Sequence, residues 1–162
     1  MRAVATTFCM WVAAITLAVS VGGNLFQAVV VDPVWSGSPP ESLRTFAKTP
    51  YFGRLKTFHT NPLFLVGLAF LLATPAFAWN QPTLRSWLLI AAGLYLVVIL
   101  STLLYFYPLN DALLVRGGEG LDTATVVAMT RRWVVADRIR YICRLASFLC
   151  LLRAMTVSGA AK

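Results

Sequence analysis

The stretch from Arg131 to Arg153 reads RRWVVADRIRYICRLASFLCLLR, and it combines the apolar content of a membrane helix with several charged side chains. A single charge at the centre of a membrane helix costs about 2.5 to 3.5 kcal/mol even on the lower scales. If the stretch is helical, residues at positions i, i+4, i+7 and i+11 share one face: Trp133, Asp137, Arg140 and Arg144. We therefore expect this face to meet polar partners from the rest of the chain.

The composition of the whole chain favours a bilayer as its solvent. Apolar residues make up 59% of the 162 residues and charged residues only 12%, and the mean hydropathy is +0.74. A soluble domain is roughly half apolar and a quarter charged. The net charge of +8 fits Lys and Arg side chains that anchor the protein to anionic lipid. We expect no nucleic acid partner, because no basic run is interleaved with exposed aromatic residues.

Four apolar segments are long enough to cross a hydrocarbon core about 30 Å thick, which takes roughly 20 helical residues. The predicted spans lie at residues 4–31, 62–79, 86–107 and 124–156 of a single transmembrane domain, 1–162. Consecutive spans alternate in direction, so we predict an all-α integral membrane four-helix bundle with up-down topology. We expect Pro108 to end the third span, and Asp122 or Thr123 to cap the fourth.

The longest polar connection lies between the first two spans, at residues 32–60. Its first half contains Pro33, Pro39 and Pro40 and is expected to be irregular. Its second half, ESLRTFAKTPYFGRLKTF at residues 41–58, mixes aromatic with basic residues. This composition predicts an amphipathic segment in loop one that lies on the membrane surface.

The distribution of basic residues predicts the orientation. Basic side chains concentrate in the first and third loops, which places these loops in the cytoplasm and both termini outside. We expect an integral protein of a bacterial inner (cell) membrane. The cysteines Cys9, Cys143 and Cys150 form no CxxC pair, which argues against a thiol oxidoreductase.

The alternation of the spans brings most of the polar side chains to one side of the membrane. In chain order, that side receives Ser20, Asn24, Gln27, His59, Asn61, Tyr105, Tyr107, Asn110 and the polar face of the fourth span. The opposite side, with residues such as Trp79 and Trp87, offers little that is reactive. One end of the predicted bundle therefore holds the candidate functional groups.

Two interpretations of this polar end are open. In the structural interpretation, Asp137 neutralises Arg140 or Arg144 and the neighbouring amides satisfy the charges, since buried ions persist only when they are paired. In the functional interpretation, two arginines to one aspartate leave a positive pocket for an anionic or enolisable ligand. The only histidine, His59, is more often a cap or an interface residue than a ligand at such a position.

Three features of the sequence resemble one known family. They are an Asn late in the first span (Asn24), a Pro-x-Asn after the third (Pro108 to Asn110), and a Trp-x3-polar-x2-Arg pattern on the last helix (Trp133, Asp137, Arg140). A small four-span protein with these motifs resembles the anthrone oxygenase-like family of integral membrane proteins. The resemblance implies that an anthrone is oxygenated to a quinone without a metal or a flavin.

The resemblance also suggests roles for individual residues. Asp137 or His59 would take a proton from the activated carbon as the catalytic base. Arg140 and Arg144 would stabilise the resulting enolate. The remaining candidates for substrate binding are Asn24, Tyr107, Asn110 and Trp133.

Functions from other classes compete with the oxygenase. The chain could be a non-catalytic accessory subunit of a larger membrane complex, or a protein that binds lipid or quinone without chemistry. The expected partners are membrane lipids, a hydrophobic aromatic or quinone-like small molecule, and either further copies of the chain or a larger complex. We expect no haem, metal or other cofactor, because the sequence has a single His and no cluster of ligands at suitable spacing.

Overall fold

A computed structural model describes residues 2–160, with side chains through residue 158. Within this range all regular secondary structure is helical, with no strand, and four helical stretches are long and apolar enough to cross a membrane. The helices are α1 (Arg2–Ser36), α2 (Glu41–Ala47), α3 (Tyr51–His59), α4 (Pro62–Phe77), α5 (Pro82–Val115) and α6 (Thr123–Ala160). Helices α3 and α4 together form the second candidate span, Tyr51–Phe77. The prediction of an all-α membrane protein with four spanning helices is confirmed.

Helix α1 extends further than the sequence indicated. A wide π-helical turn at Gln27–Val31 joins α-helical Arg2–Phe26 to α-helical Asp32–Ser36, and the amide of Asp32 donates to the carbonyl of Gln27. The prediction that Asp32 opens an irregular loop is therefore wrong. Pro33 is tolerated because it lies in the first turn after the π turn, where its missing N–H costs little.

Helix α5 repeats this arrangement. A π turn at Thr102–Phe106 precedes Pro108, the amide of Tyr107 donates to the carbonyl of Thr102, and the helix continues to Val115. The prediction that Pro108 ends the third span is also wrong. In both helices the proline stands two residues after a π turn. The π turn changes the hydrogen-bond register of the helix, so the helix can continue past a residue that has no N–H to donate.

The segment at residues 41–58 forms two short helices of different character. Helix α2 buries Leu43 and Phe46, whereas α3 has no buried residue. The α2 half of the predicted amphipathic segment is thus anchored in a core, and the α3 half belongs to the second candidate span. The placement of the segment on the membrane surface stays a prediction. That core has eight buried members: Trp35, Leu43, Phe46, Phe106, Leu113, Leu114, Val126 and Trp133.

The chain divides into two compact units. The first unit comprises the residues up to Gly22, Thr60–Val98 and the residues from Ile142 onwards; the second comprises Gly23–His59 and Ile99–Tyr141. The expectation of a single domain stays a prediction.

Small residues allow close packing in the first unit. Gly67 of α4 faces Thr16 of α1, and a Cβ atom added at Gly67 would lie 2.0 Å from the Thr16 hydroxyl oxygen. The Ser147 hydroxyl of α6 donates to the carbonyl of Ala91 of α5 at 2.7 Å. Such contacts are the usual means of joining helices in lipid, where apolar burial alone does not favour association.

Gly67→Ala is expected to destabilise the protein by about 1–3 kcal/mol, because the new methyl group meets the Thr16 side chain at its branched carbon. Gly93→Ala is the matched control, since a Cβ atom at Gly93 has no neighbour within 4 Å. Thermal unfolding of the two variants in detergent is the measurement. Equal melting temperatures would contradict the packing described for Gly67.

The last helix begins with a side-chain cap. The Asp122 carboxylate accepts hydrogen bonds from the Thr125 amide at 3.0 Å and from the Thr125 hydroxyl at 2.6 Å. Of the two expected caps, Asp122 is therefore the one used. The hydrogen bonds from Thr125 hold the pKa of the Asp122 carboxyl below its ordinary value.

Asp122→Ala is expected to lower the melting temperature near neutral pH. Because the pKa of Asp122 is depressed in the folded state, the carboxylate stabilises above the unfolded pKa of about 3.9. This contribution disappears as the pH falls through the folded-state pKa. Melting curves across pH should show that the difference in melting temperature between Asp122→Ala and the wild type shrinks as the pH falls. Asp122→Asn keeps one acceptor, so its melting temperature should fall less than that of Asp122→Ala. A difference in melting temperature that does not depend on pH would refute this account of the cap.

Candidate functional site

Helix α6 buries a regular stripe of side chains. Its buried members recur every three or four positions, with one gap of seven, and they are Val126, Thr130, Trp133, Asp137, Arg144, Ser147, Leu151 and Ala154. Arg140 fills the gap with a side chain that is only 10% exposed. The face expected from the sequence is thus present in the helix, and it carries polar and charged groups into the protein interior.

Two buried charges of the second unit, those of Asp137 and Arg140, form an ion pair. The guanidinium of Arg140 donates through Nη2 to Oδ1 of Asp137, whose side chain is 2% exposed. Its Nη1 donates to the hydroxyl of Thr102 at 3.1 Å, and its Cζ atom lies 3.8 Å from the centroid of the Phe106 ring. Thr102 and Phe106 are the first and last residues of the first of two π turns in α5, so this turn holds Arg140 from two directions.

A second buried carboxyl, Asp32, belongs to the same unit. It is 6% exposed and stands directly after the π turn of α1. Its Oδ1 accepts from Trp35 Nε1 at 3.2 Å and from Gln27 Nε2 at 3.4 Å. It also lies within electrostatic range of Asp137 and Arg140.

The balance of charge differs from the expected excess of arginine. Among the described residues of the second unit, the buried or nearly buried charged groups are the carboxyls Asp32 and Asp137 and the guanidinium of Arg140. Arg144 is 6% exposed but belongs to the first unit. The prediction of an arginine-rich pocket stays a prediction. Sequence reasoning did not count Asp32 among the buried charges, because it treated this residue as part of a loop.

Aromatic side chains surround the charged groups. The indole of Trp133 meets Trp35 edge to face at 4.9 Å between centroids and Phe106 at 5.4 Å. Trp133 Nε1 donates to Oδ1 of Asn110 at 2.6 Å, which joins two residues that the sequence had singled out. Tyr107 is 46% exposed and does not enter this group of rings.

A chain of hydrogen bonds connects His59 to Asp32. His59 Nε2 lies 2.7 Å from Gln27 Oε1, and Gln27 Nε2 donates to Asp32. Since the amide oxygen of Gln27 can only accept, the proton in this arrangement is on Nε2 of His59. His59 therefore acts here as a donor that orients Gln27.

Three buried polar groups of the second unit have atoms without a hydrogen-bond partner in the described part of the chain. They are the amide of Asn24, the hydroxyl of Thr130 and Nε of Arg140. Asn24 is fully buried, and neither of its amide atoms is bonded. Unsatisfied polar atoms are rare in protein interiors and carry a cost, so they mark a place where a ligand could bind.

The eight predicted site residues thus divide between the units. Seven belong to the second unit: Asn24, His59, Tyr107, Asn110, Trp133, Asp137 and Arg140. Their catalytic and binding roles stay predictions. Sequence reasoning missed Asp32, Trp35, Thr102 and Phe106, because nothing in the sequence indicates the π turns on which their positions depend.

No group of three or more His, Cys, Asp or Glu side chains is placed to hold a metal ion within residues 2–158.

The fold and the site define the class of the protein: it is a helical membrane protein with a buried ion pair next to packed aromatic side chains. The model of the anthrone oxygenase family matches residues 52–150, more than half of the chain. The chain belongs to the anthrone oxygenase family, which confirms the resemblance seen in the sequence. Comparison with curated proteins and with solved structures gives no match.

Asp137→Asn is expected to destabilise the protein by about 3–5 kcal/mol, because it leaves the Arg140 guanidinium buried without its counter-charge. The double variant Asp137→Leu/Arg140→Met should be more stable than Asp137→Asn, since it removes both charges together. Unfolding in detergent compares the two variants with the wild type. A double variant that is less stable than the single variant would show that the pair does not act as a unit.

Proposed function

We propose that the protein is an oxygenase that converts an enolisable, anthrone-type aromatic substrate to a quinone. The supporting observation is that a buried carboxyl held only by neutral donors, Asp32, lies within electrostatic range of the Asp137–Arg140 pair. Membership of the anthrone oxygenase family points to the same chemistry. We further propose a bacterial inner membrane as its location, because helical spans are typical of that membrane and closed barrels of the outer one.

The first step is removal of a proton from the activated CH2 group of the substrate, and Asp32 is the better base for it. Asp137 is already neutralised by Arg140. The partners of Asp32 are neutral, and both hydrogen bonds end on Oδ1. Its Oδ2 is therefore the atom that would receive the proton. Gln27, oriented by His59, fixes the plane of this carboxyl.

The second requirement is a positive group where the enolate oxygen develops charge. Arg140 is held by Asp137, Thr102 and the Phe106 ring, so it needs no rearrangement during the reaction, and its Nε remains an available donor. The buried amide of Asn24 and hydroxyl of Thr130 are further donors of this unit.

Aromatic side chains would bind the flat substrate. Trp35, Phe106 and Trp133 are each no more than 2% exposed and meet edge to face, so a planar substrate would have to separate these rings before it could stack on them. Aromatic surfaces of this kind attract planar aromatic ligands by stacking and by burial of apolar area. A substrate of low polarity would reach them from the hydrocarbon phase of the membrane.

The reaction balances with dioxygen as the only co-substrate. The carbanion donates electrons to dioxygen and forms a C–O bond, which gives a peroxide that takes up the proton from Asp32. Loss of the second hydrogen from the same carbon, with cleavage of the O–O bond, releases water and leaves a carbonyl group. The CH2 group and dioxygen thus become a carbonyl group and water.

Asp32→Asn is expected to lower the rate of quinone formation by about 100- to 10,000-fold, the usual contribution of a general base. Oxygen uptake and quinone absorbance, corrected for the reaction without protein, are the measurements. Asp111→Asn is the matched control, because its carboxylate is 58% exposed in a surface ion pair. Substrate binding should survive in Asp32→Asn. A variant that turns over at the wild-type rate would exclude Asp32 as the base.

If the wild type binds the aromatic compound but does not consume oxygen, the protein is a binding protein and the proposal of an oxygenase is wrong. Circular dichroism and gel filtration of both variants verify that a lost activity is not a lost fold.

A further inference from the structure

A basic cleft of about 450 Å³ opens between helix α2 and the turn that follows α5. Its charged lining consists of Arg44 from α2, Lys48 directly after the end of α2, and Arg116 and Glu119 from the turn. None of these side chains takes part in the buried cluster around Asp137.

The backbone of the turn gives the cleft a fixed floor. Gly117 and Gly118 have positive φ angles of 61° and 73°, which residues with a Cβ atom rarely adopt. A Cβ atom at Gly118 would lie 2.7 Å from Val126, and one at Gly117 would lie 3.5 Å from the Cα atom of Arg44. The amide of Gly118 also donates to the carbonyl of Ala112 at 3.0 Å. The turn is thus packed against α2 and the start of α6.

The cations of the cleft are only partly neutralised. Arg116 pairs with Asp111 at 3.0 Å, where both side chains are more than half exposed. Within the described chain, no carboxylate oxygen lies within 4.0 Å of Arg44 or Lys48. Arg44 lies in α2, and Lys48 is the C-cap four positions later with a helical backbone conformation, so the two side chains project to the same side. Two unpaired cations therefore face the same cleft.

The position of the cleft favours a lipid as the source of the anion. Val115, the last residue of the membrane-spanning helix α5, lines the cleft and is 55% exposed. The next spanning helix begins at Thr123. The connection between two spanning helices emerges on the membrane surface, where lipid phosphates are the concentrated anions.

We propose that this cleft binds the phosphate group of an anionic phospholipid. Arg44 and Lys48 contact the phosphate oxygens, Arg116 adds a third positive charge, and Val115 meets the beginning of the acyl chains. Glu119 opposes binding and so favours a headgroup that approaches from the side of α2. The proposal is independent of the oxygenase reaction and goes beyond general attraction to an anionic membrane, because it assigns one bound lipid to named side chains.

The experiment counts lipid molecules bound to the full chain by native mass spectrometry during titration with phosphatidylglycerol or phosphatidylcholine. The wild type should bind one phosphatidylglycerol in preference to phosphatidylcholine. Arg44→Ala/Lys48→Ala should weaken the affinity for phosphatidylglycerol at least about tenfold, given the usual contribution of each basic residue near a membrane surface. Arg44→Lys/Lys48→Arg, which keeps both charges, should retain most of the binding.

The matched control is Arg131→Ala/Arg132→Ala, which removes the same charge from two exposed residues that do not line the cleft. Its affinity for phosphatidylglycerol should change by no more than about twofold. Glu119→Gln should strengthen binding, a gain that a merely disrupted fold would not produce.

Equal losses of affinity for phosphatidylglycerol in the two double alanine variants would overturn the proposal, since they would show a general attraction of the basic protein to anionic lipid instead of a specific site. Competition by glycerol phosphate or inorganic phosphate as strong as that by the lipid would assign the cleft to a soluble anion, and would overturn the lipid assignment. Wild-type binding in Arg44→Ala/Lys48→Ala would refute the site altogether.

Discussion

The burial of the Asp137–Arg140 ion pair is the constraint on which the second unit depends. A charge inside a membrane helix must be compensated locally, and the structure compensates Arg140 with a carboxylate, a hydroxyl and the face of an aromatic ring. Two of these partners, Thr102 and Phe106, come from one π turn of α5. The same helix carries Asn110, the hydrogen-bond acceptor of Trp133. The polar and aromatic parts of the site are therefore consequences of one requirement.

The π turns explain why prolines and polar groups occur together in these helices. A wide turn precedes Pro33 in α1 and Pro108 in α5, and each allows the helix to pass a residue that would otherwise end it. Asp32 and Thr102 lie at the boundaries of these turns. An altered hydrogen-bond register thus costs some helical regularity but places a buried carboxyl and a hydroxyl where an unbroken α-helix would not. Such turns are frequent at functional sites.

Much of the fold could be predicted from the sequence because it depends on hydrophobicity and helical period. The four spans and the polar face of α6 were accessible in this way. The cap was narrowed to Asp122 or Thr123, and the family was identified by the resemblance of three short motifs. Asp32 was missed because a proline after an aspartate normally indicates a loop, and local propensity says nothing about a π turn. The Asp32 carboxyl was left out of the expected balance between arginine and carboxylate for the same reason. The core position of α2 depends on tertiary packing, which the mixture of aromatic and basic residues at 41–58 does not reveal.

We propose that the second unit catalyses the oxygenation of an enolisable aromatic compound. The most direct measurement is to incubate the purified protein with an anthrone under isotopically labelled dioxygen and to determine the mass of the product by mass spectrometry. The account predicts a quinone whose new carbonyl oxygen comes from dioxygen, formed faster than without protein. A rate equal to that of the protein-free reaction, or label that enters from water instead of dioxygen, would contradict it.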